Sequence, residues 1–302
     1  MSLSEWSYTL MVYAAVVYLI AFAAHAVEWA SARGQAAVRP ADGSEDAART
    51  RVDLFGRLGL VFAVVAALMH VTAVVFRGVA ADRPPWGNMY EFVTSTLAIA
   101  VLLYLFVAFK WGMRWLGLGM TLLSTVGLGL AVTEWYVAVA PLVPALHSVW
   151  FIIHIIAAAI AGAAFNVGGL ASILYLLRQR AEQRLAEGQQ LTGYLAKIPT
   201  AAKLDLFSYR LHAFAVPLWT FTIVAGAIWA QYAWGRFWNW DPKETWSFIT
   251  WVVYVAYLHA RATAGWRGRP VAIIAVIGLV TFWFNFVGVN LLFSGLHSYA
   301  GI

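Results

Sequence analysis

Residues 208–260 contain two apolar runs of helix length joined by a tryptophan-rich connection. The first run reads SYRLHAFAVPLWTFTIVAGAIWAQY (208–232), the connection reads WGRFWNWDPKETW (234–246), and the second run reads KETWSFITWVVYVAYLHA (243–260). Helical runs of about twenty residues match the thickness of a bilayer, whereas barrel strands would alternate polar and apolar residues over about ten positions. The sequence therefore predicts helices that cross a membrane.

The rest of the chain has the same apolar character. Of its 302 residues, 62% are hydrophobic and 11% are charged, and the mean hydropathy is +0.74. A soluble domain of this size cannot hide so much apolar surface in one core. Peptide groups inside a bilayer have no water to bond, so each span must satisfy its own hydrogen bonds. We expect an all-α, polytopic transmembrane helical bundle that forms a single integral-membrane domain, residues 1–302.

Charged residues and Gly/Pro punctuation divide the apolar sequence into about eight predicted spans. Their limits are 8–30, 54–77, 88–109, 115–133, 148–177, 208–232, 243–260 and 271–293. The first run lacks a basic leader and exceeds the core of a cleaved signal, which indicates a retained helix. Between the spans we distinguish an outer Trp-rich loop, 233–247, and a loop at 178–205. The latter is a solvated connection or an amphipathic stretch along the headgroups.

The basic residues predict the orientation of the spans. If the connections after spans 1, 3, 5 and 7 share one side, that side carries sixteen of the twenty Lys and Arg residues. They are Arg33, Arg39, Arg49, Arg51, Arg57, Lys110, Arg114, Arg178, Arg180, Arg184, Lys197, Lys203, Arg210, Arg261, Arg267 and Arg269. Cytoplasmic loops are rich in Lys and Arg, so this side is predicted to be cytoplasmic, in a cytoplasmic (inner) membrane. Both termini and the Trp-rich loop then lie outside, and the net charge of +6 reflects topology rather than nucleic-acid binding.

The Trp-rich loop has the composition of a ligand site. Indole rings are large apolar faces that favour the membrane boundary, and four of them lie here close to two basic residues. Such a surface suits a flat, apolar, anionic ligand, and a porphyrin fits that description. The candidate binding residues are Trp234, Trp238, Trp240 and Trp246, with Arg236 and Lys243 as candidate contacts to the acidic groups of the ligand.

The same loop contains the pattern of a helix cap. Asp241 is placed as the N-cap of the seventh helix, Pro242 as its first residue and Glu244 as its third, which is a capping box. A second outer segment has Asn88 as a cap and Glu91 three residues later. A cap does not exclude ligand binding, because it fixes the direction of the neighbouring side chains.

The seven histidines can be sorted by their predicted depth. His259 follows Glu244, at the start of the seventh span, by fifteen residues, or about 22 Å, and so lies near the inner boundary. His25 and His212 also lie near the inner boundary and His70 in the outer half of the second span. None of these three belongs to a motif, so a neutral ring hydrogen-bonded to a neighbouring helix is the favoured interpretation.

Two outer histidines are better placed to bind a metal. His154 begins the fifth span, and His297 follows Ser294-Gly295 just beyond the last one. Both should open on the same outer vestibule as the Trp-rich loop, and two imidazoles on opposite faces would hold a six-coordinate haem. His147 competes with His154, being seven residues away on the same helix face.

The chain contains no cysteine, and this limits its chemistry. Thiol relay, disulfide exchange and thiolate ligation are excluded on the oxidising side of the membrane. Imidazoles, carboxylates, bases and aromatic faces remain.

Three segments resemble a known family. Residues 234–246 resemble the "WWD" signature of haem-handling membrane proteins. Trp86-Gly-Asn-Met-Tyr-Glu91 and Gly288-Val-Asn290 with Gly295-Leu-His297-Ser-Tyr resemble the CcsA branch, also called ResC or CcsB. The resemblance runs from about residue 80 to the end of the chain. This branch is the integral-membrane half of the system II cytochrome c synthase, a haem lyase that carries haem b outward and attaches it to apocytochrome c.

The resemblance implies roles for individual residues. It makes His154 and His297 the outer haem ligands beside Trp234, Trp238, Trp240, Asp241 and Trp246, and His259 the inner ligand. It also implies a ResB/Ccs1-type membrane partner, which supplies a second inner histidine, and an apocytochrome c with a Cys-x-x-Cys-His segment. Ala215-Val216-Pro217 departs from the family's Gly-Phe-Pro. The alternatives are a haem exporter, a haem-delivery protein that serves a chaperone without attachment activity, and a structural or quinone-binding subunit.

Overall fold

The protein is a bundle of long helices. The computed structural model describes residues 1–32, 46–263 and 265–297. In these residues the helices are α1 Leu3–Ser31, α2 Asp46–Ala81, α3 Met89–Trp111, α4 Gly117–Thr133, α5 Val149–Ala186, α6 Ala201–Trp234, α7 Pro242–Ala262, α8 Arg269–Trp283 and α9 Val289–Leu292. A π-helical turn, Phe284–Gly288, joins α8 to α9. The predicted all-α class is confirmed.

Seven of the eight predicted spans are apolar and long enough to cross a membrane, within the residues described. The exception is α7, whose 21 residues would extend about 31 Å but include several charged side chains. Its contacts nevertheless run the length of the bundle. At one end Asp241 contacts His297, and at the other Arg261 forms an ion pair with Asp205 at the start of α6. Hence α7 lies antiparallel to α6, as expected for the predicted seventh span, 243–260.

The helices extend further than the apolar runs predict. The predicted loop 178–205 is partly helical, because α5 continues to Ala186 and α6 begins at Ala201. An ion pair between Arg178 and Glu182, four residues apart, stabilises the extension of α5. The predicted outer loop 233–247 is likewise shorter, with only 235–241 outside the helices. Two of the predicted basic inner residues, Arg33 and Arg39, lie outside the described residues.

The helices pack as neighbouring antiparallel pairs. α1 packs along α2 and α4, α5 packs along α6, and α7 packs along α8. Small residues such as Ala161 and Ala163 fill the interior of α5, while Leu68, Phe109 and Val280 remain more than 60% exposed on outer faces. Apolar side chains on the outer faces of a bundle are expected where lipid replaces water.

A buried acidic residue holds the end of α2 and the start of α3 together. Glu91 is fully buried and forms ion pairs of 2.8 Å with Arg77 and 2.7 Å with Arg83. Its carboxylate also accepts the backbone N–H of Gly87, while Asn88 caps α3 as predicted. Charge pairing and hydrogen bonds together compensate the cost of burying the carboxylate.

The three histidines outside the motifs are buried and hydrogen-bonded. His25 Nδ1 lies 2.8 Å from Glu28, His70 Nε2 lies 2.9 Å from the Thr94 carbonyl, and His212 Nδ1 lies 2.8 Å from the carbonyl of Ser208. His70 is bonded to a neighbouring helix, as the sequence interpretation expects, whereas His25 and His212 are bonded to residues of their own helices.

Candidate functional site

The Trp-rich connection is short because both flanking helices are capped. α6 is terminated by its C-cap Gly235, whose φ of 73° is the left-handed conformation that suits glycine. α7 begins with the predicted capping box, in which Asp241 accepts a hydrogen bond from Lys243 N and Glu244 accepts one from Asp241 N. The connection is thereby held against this end of the bundle.

Behind this connection lies an aromatic cavity. The space inside it that is open to the centre of a water molecule is about 100 Å³, and the cavity has an open mouth. Its walls come from α3, α5, α6, α7, α8, the π-helical turn and the segment after α9. The aromatic and imidazole rings that line it are those of Phe92, His154, Trp219, Trp229, Trp234, Phe237, Trp238, Phe282, Phe286 and His297.

His154 enters the cavity from the first turns of α5. Its Nδ1 lies 2.8 Å from the Thr222 carbonyl on α6, and its ring is nearly parallel to that of Trp229 at 6.0 Å. Gly226 makes this approach possible, because a Cβ at that position would lie 2.8 Å from the imidazole. Nδ1 donates to this carbonyl, so Nε2 is the nitrogen that remains to bind a ligand.

His297 enters the same cavity from the segment after α9. Its Nδ1 lies 2.9 Å from Asp241 Oδ1, and its ring lies 5.8 Å from Trp229 and 5.0 Å from Trp234. The structure thus brings together two imidazoles that are far apart in sequence, each beside Trp229. In both rings Nδ1 is the nitrogen engaged by the protein.

Asp241 lies behind His297 and does not line the aromatic cavity. Burial raises the pKa of its carboxyl, but hydrogen bonds from His297 and from the backbone N–H groups of Leu296 and Lys243 outweigh burial and lower the pKa to about 2. The carboxylate is therefore ionised at neutral pH.

Lys243 lines the cavity, but its ammonium group is bound to protein. Nζ donates to the carbonyls of Asn285 and Phe286 and to Asn290 Oδ1, at 2.8, 3.3 and 3.1 Å. Both carbonyls belong to the π-helical turn, and π-turns are common at functional sites. Lys243 satisfies these carbonyls and connects α7 to the end of α8.

The other predicted residues divide between the cavity and its surroundings. Trp234 and Trp238 line the cavity, whereas Trp240 is 64% exposed and Trp246 packs against Phe284 at 4.1 Å. Arg236 is not among the cavity residues, and its Nη1 is buried without a partner in the described residues. His147, the competitor of His154, is exposed and outside the cavity.

His259 lies at the end of α7 opposite to the cavity, on an exposed face of the helix. Its Nδ1 lies 3.4 Å from the Thr263 hydroxyl, one turn later. Arg261 nearby pairs with Asp205 and stacks over Tyr209. A single imidazole therefore faces outward from the bundle at this position.

Sequence reasoning missed the part of the cavity that α6 supplies. Trp219, Thr222, Gly226 and Trp229 all line the cavity and follow one another at intervals of three or four residues. This spacing places all four residues on one face of the helix, with the two smaller ones in the middle. The pattern could have indicated a helix face against which a side chain of another helix packs.

The fold and this site define a polytopic helical membrane protein with an aromatic cavity that contains two imidazoles. A family model described as "Cytochrome C assembly protein" matches residues 86–297. "Cytochrome c biogenesis protein CcsA" of Parasynechococcus marenigrum is 36% identical over 268 residues, covering 80% of this chain and 87% of the relative. The protein of the same name from Gloeobacter violaceus is 34% identical over 305 residues, covering 84% and 89%.

The protein belongs to the cytochrome c assembly protein family. A solved structure, "Cytochrome c Heme Lyase CcmF", has the same fold over 95% of this chain, with a TM-score of 0.69 and 14% sequence identity. This chain spans about half of that larger one, 47%. The comparisons agree with the haem-handling superfamily that the sequence motifs indicate.

Proposed function

We propose that the protein is the membrane subunit of a system II cytochrome c synthase. It receives haem b near His259 on the cytoplasmic side of the inner membrane and holds it outside, between His154 and His297. There it presents the haem for thioether attachment to apocytochrome c. The observation that carries this proposal is the meeting of both imidazoles in one aromatic cavity, each with Nδ1 engaged by an acceptor of the protein.

The donor set of the cavity fits haem better than a bare metal ion. In the residues described, no group of three or more His, Cys, Asp or Glu side chains converges to hold an ion. Haem iron already has four ring nitrogens and needs only axial ligands, for which neutral imidazole is common. Two imidazoles and apolar walls therefore suffice for haem.

The aromatic walls also fit a flat macrocycle. Trp229 and Trp234 contact His297 edge-on, which leaves indole surface to pack against a ring held by that histidine. Arg236 is our candidate for a propionate contact, because its Nη1 has no partner in the described part of the chain. Lys243 supports the cavity wall through the π-helical turn and adds positive charge near the acidic groups.

The inner site fits a second protein chain. His259 presents one imidazole on an exposed helix face, and two are needed to bind haem iron on both sides. We infer that a ResB/Ccs1-type partner packs against this face of α7 and supplies the second ligand.

The chemistry of attachment requires no cysteine in this chain. Each thiol of the Cys-x-x-Cys-His segment adds across a vinyl group, so that sulfur bonds to one vinyl carbon and hydrogen to the other. The contribution of the protein is to hold the haem in one orientation while the thiols approach, which makes the reaction effectively unimolecular.

The ligand assignment is tested by absorption spectra of purified His154→Ala and His297→Ala variants, with His147→Ala as a matched exposed control. We expect a bis-imidazole spectrum in wild type and in the control. Each ligand variant should lose it, and added imidazole should partly restore it. A bis-imidazole spectrum that persists in both ligand variants would remove the assignment.

The synthase role is tested in cells that lack their own cytochrome c assembly proteins. Co-expression with a ResB-type partner should yield cytochrome c with covalent haem, and His154→Ala should abolish it. Haem that reaches the outer side without becoming covalently attached would instead support the exporter or haem-delivery alternative.

A further inference from the structure

Asp241 makes more contacts than a helix cap requires. Its Oδ1 accepts from Lys243 N, as any N-cap does, and also lies 2.9 Å from His297 Nδ1. Its Oδ2 accepts from Leu296 N at 2.8 Å. A side chain that only capped α7 would need the first of these contacts and not the other two.

We propose that Asp241 is a positioning residue that acts through His297: its carboxylate fixes the imidazole and strengthens it as a ligand toward haem. This inference rests on the proposed function. It assigns Asp241 a role behind the ligand rather than in contact with haem, because Asp241 does not line the aromatic cavity.

The geometry orients the ring. A histidine whose Nδ1–H donates to a carboxylate is held in one tautomer and directs Nε2 at the metal, and the negative acceptor makes the imidazole more basic. The Leu296 contact fixes the backbone next to His297 to the same carboxylate. The imidazole ring and the neighbouring backbone are therefore both held by one carboxylate, that of the N-cap residue of α7.

The two imidazoles are held differently. His154 donates to the Thr222 carbonyl, a neutral acceptor, whereas His297 donates to an ionised carboxylate. Charge-assisted hydrogen bonds are the stronger kind. The pair is therefore asymmetric, and His297 is the ligand that stabilises ferric iron more.

Gly295 lies so close to the Asp241 carboxylate that no side chain would fit there. A Cβ on Gly295 would lie 2.4 Å from Asp241 Oδ2, a distance that real contacts do not tolerate. The segment after α9 reaches the carboxylate only because this residue has no side chain.

Asp241→Asn separates capping from positioning, because Asn is an equally good N-cap but carries no charge. We expect the purified variant to keep the helix content of wild type and to bind haem about 10–100-fold more weakly. Its haem reduction potential should rise, since ferric iron loses the more basic ligand. Asp82→Asn is the matched control, an exposed outer aspartate with the same change of charge, and should match wild type in both measurements.

A double-mutant cycle decides whether Asp241 acts through His297. In the His297→Ala background, with imidazole added to the same concentration, Asp241→Asn should have no further effect on haem affinity. Gly295→Ala gives a second perturbation that keeps both side chains and should reproduce the loss of affinity.

The inference is overturned if Asp241→Asn keeps the affinity and potential of wild type, or if it weakens haem binding equally without His297. Failure of the proposed function looks different, because wild type itself would then bind no six-coordinate haem. In the haem-free protein, nitrogen NMR of labelled histidine gives an independent readout. The His297 signal should show a protonated Nδ1 in wild type and a tautomer mixture in Asp241→Asn.

Discussion

Gly226→Ala is expected to weaken haem binding by displacing His154, although it adds only one methyl group. The new Cβ would lie 2.8 Å from both Cε1 and Nδ1 of the ring, about 0.6 Å short of an ordinary contact. If the ring moves by that amount, its 2.8 Å bond to the Thr222 carbonyl lengthens to the limit of a hydrogen bond. Overpacking of this kind costs about 1–3 kcal/mol, which corresponds to about 5- to 150-fold in affinity.

Two glycine variants separate this local effect from a general effect of alanine. Gly129→Ala places its Cβ in open space on α4, so haem binding should be unchanged and the helix slightly more stable. Gly168→Ala crowds His212 in the bundle interior and should lower stability without changing the haem spectrum. The assay is haem titration of purified, haem-depleted protein, followed by absorbance. Wild-type affinity for Gly226→Ala, with an unchanged spectrum, would refute the placement of His154.

Three further predictions concern the groups that support the site. Glu91→Gln leaves two buried guanidinium groups uncompensated and should lower the free energy of unfolding by about 3–5 kcal/mol, as measured by thermal unfolding. Glu134→Gln, the control on an exposed residue, should lower it little. Equal effects of the two variants would contradict the buried cluster. Lys243→Met leaves three oxygens at the π-helical turn without their donor and should lower stability by about 2 kcal/mol, and an unchanged unfolding temperature would exclude those contacts. Because the pKa of Asp241 is lowered to about 2, its ionised carboxylate stabilises the folded state by up to about 2 kcal/mol above pH 4, and this contribution is lost as the pH falls toward 2. The difference in unfolding temperature between wild type and Asp241→Asn at low salt should therefore be constant from pH 5 to 7 and vanish near pH 2; a difference that persists there has another cause.

The parts of the fold that depend on length and local pattern follow from the sequence. Apolar runs of bilayer length predicted the helices to within a few residues at most ends, and the Asp241–Glu244 spacing predicted the capping box that starts α7. α5 continues beyond its apolar run, where Arg178 and Glu182 form an i,i+4 ion pair. Such pairs stabilise a helix in water.

The parts of the site that depend on packing between distant segments could not be predicted from the sequence. Trp229 lies inside an apolar run, where it looks like any core residue, and only the approach of α5 makes it a wall of the cavity. The target of Lys243 depends on a π-helical turn that no local pattern predicted. The contact between Asp241 and His297 joins residues 56 positions apart, so its existence depends on the packing of α7 against α8.

A cryo-electron microscopy map of the haem-loaded protein with its ResB-type partner would show whether one haem lies between His154 and His297. We expect planar density in the aromatic cavity, with both Nε2 atoms directed at the iron from opposite faces. Haem density elsewhere on the protein, with either imidazole directed away from it, would refute this placement.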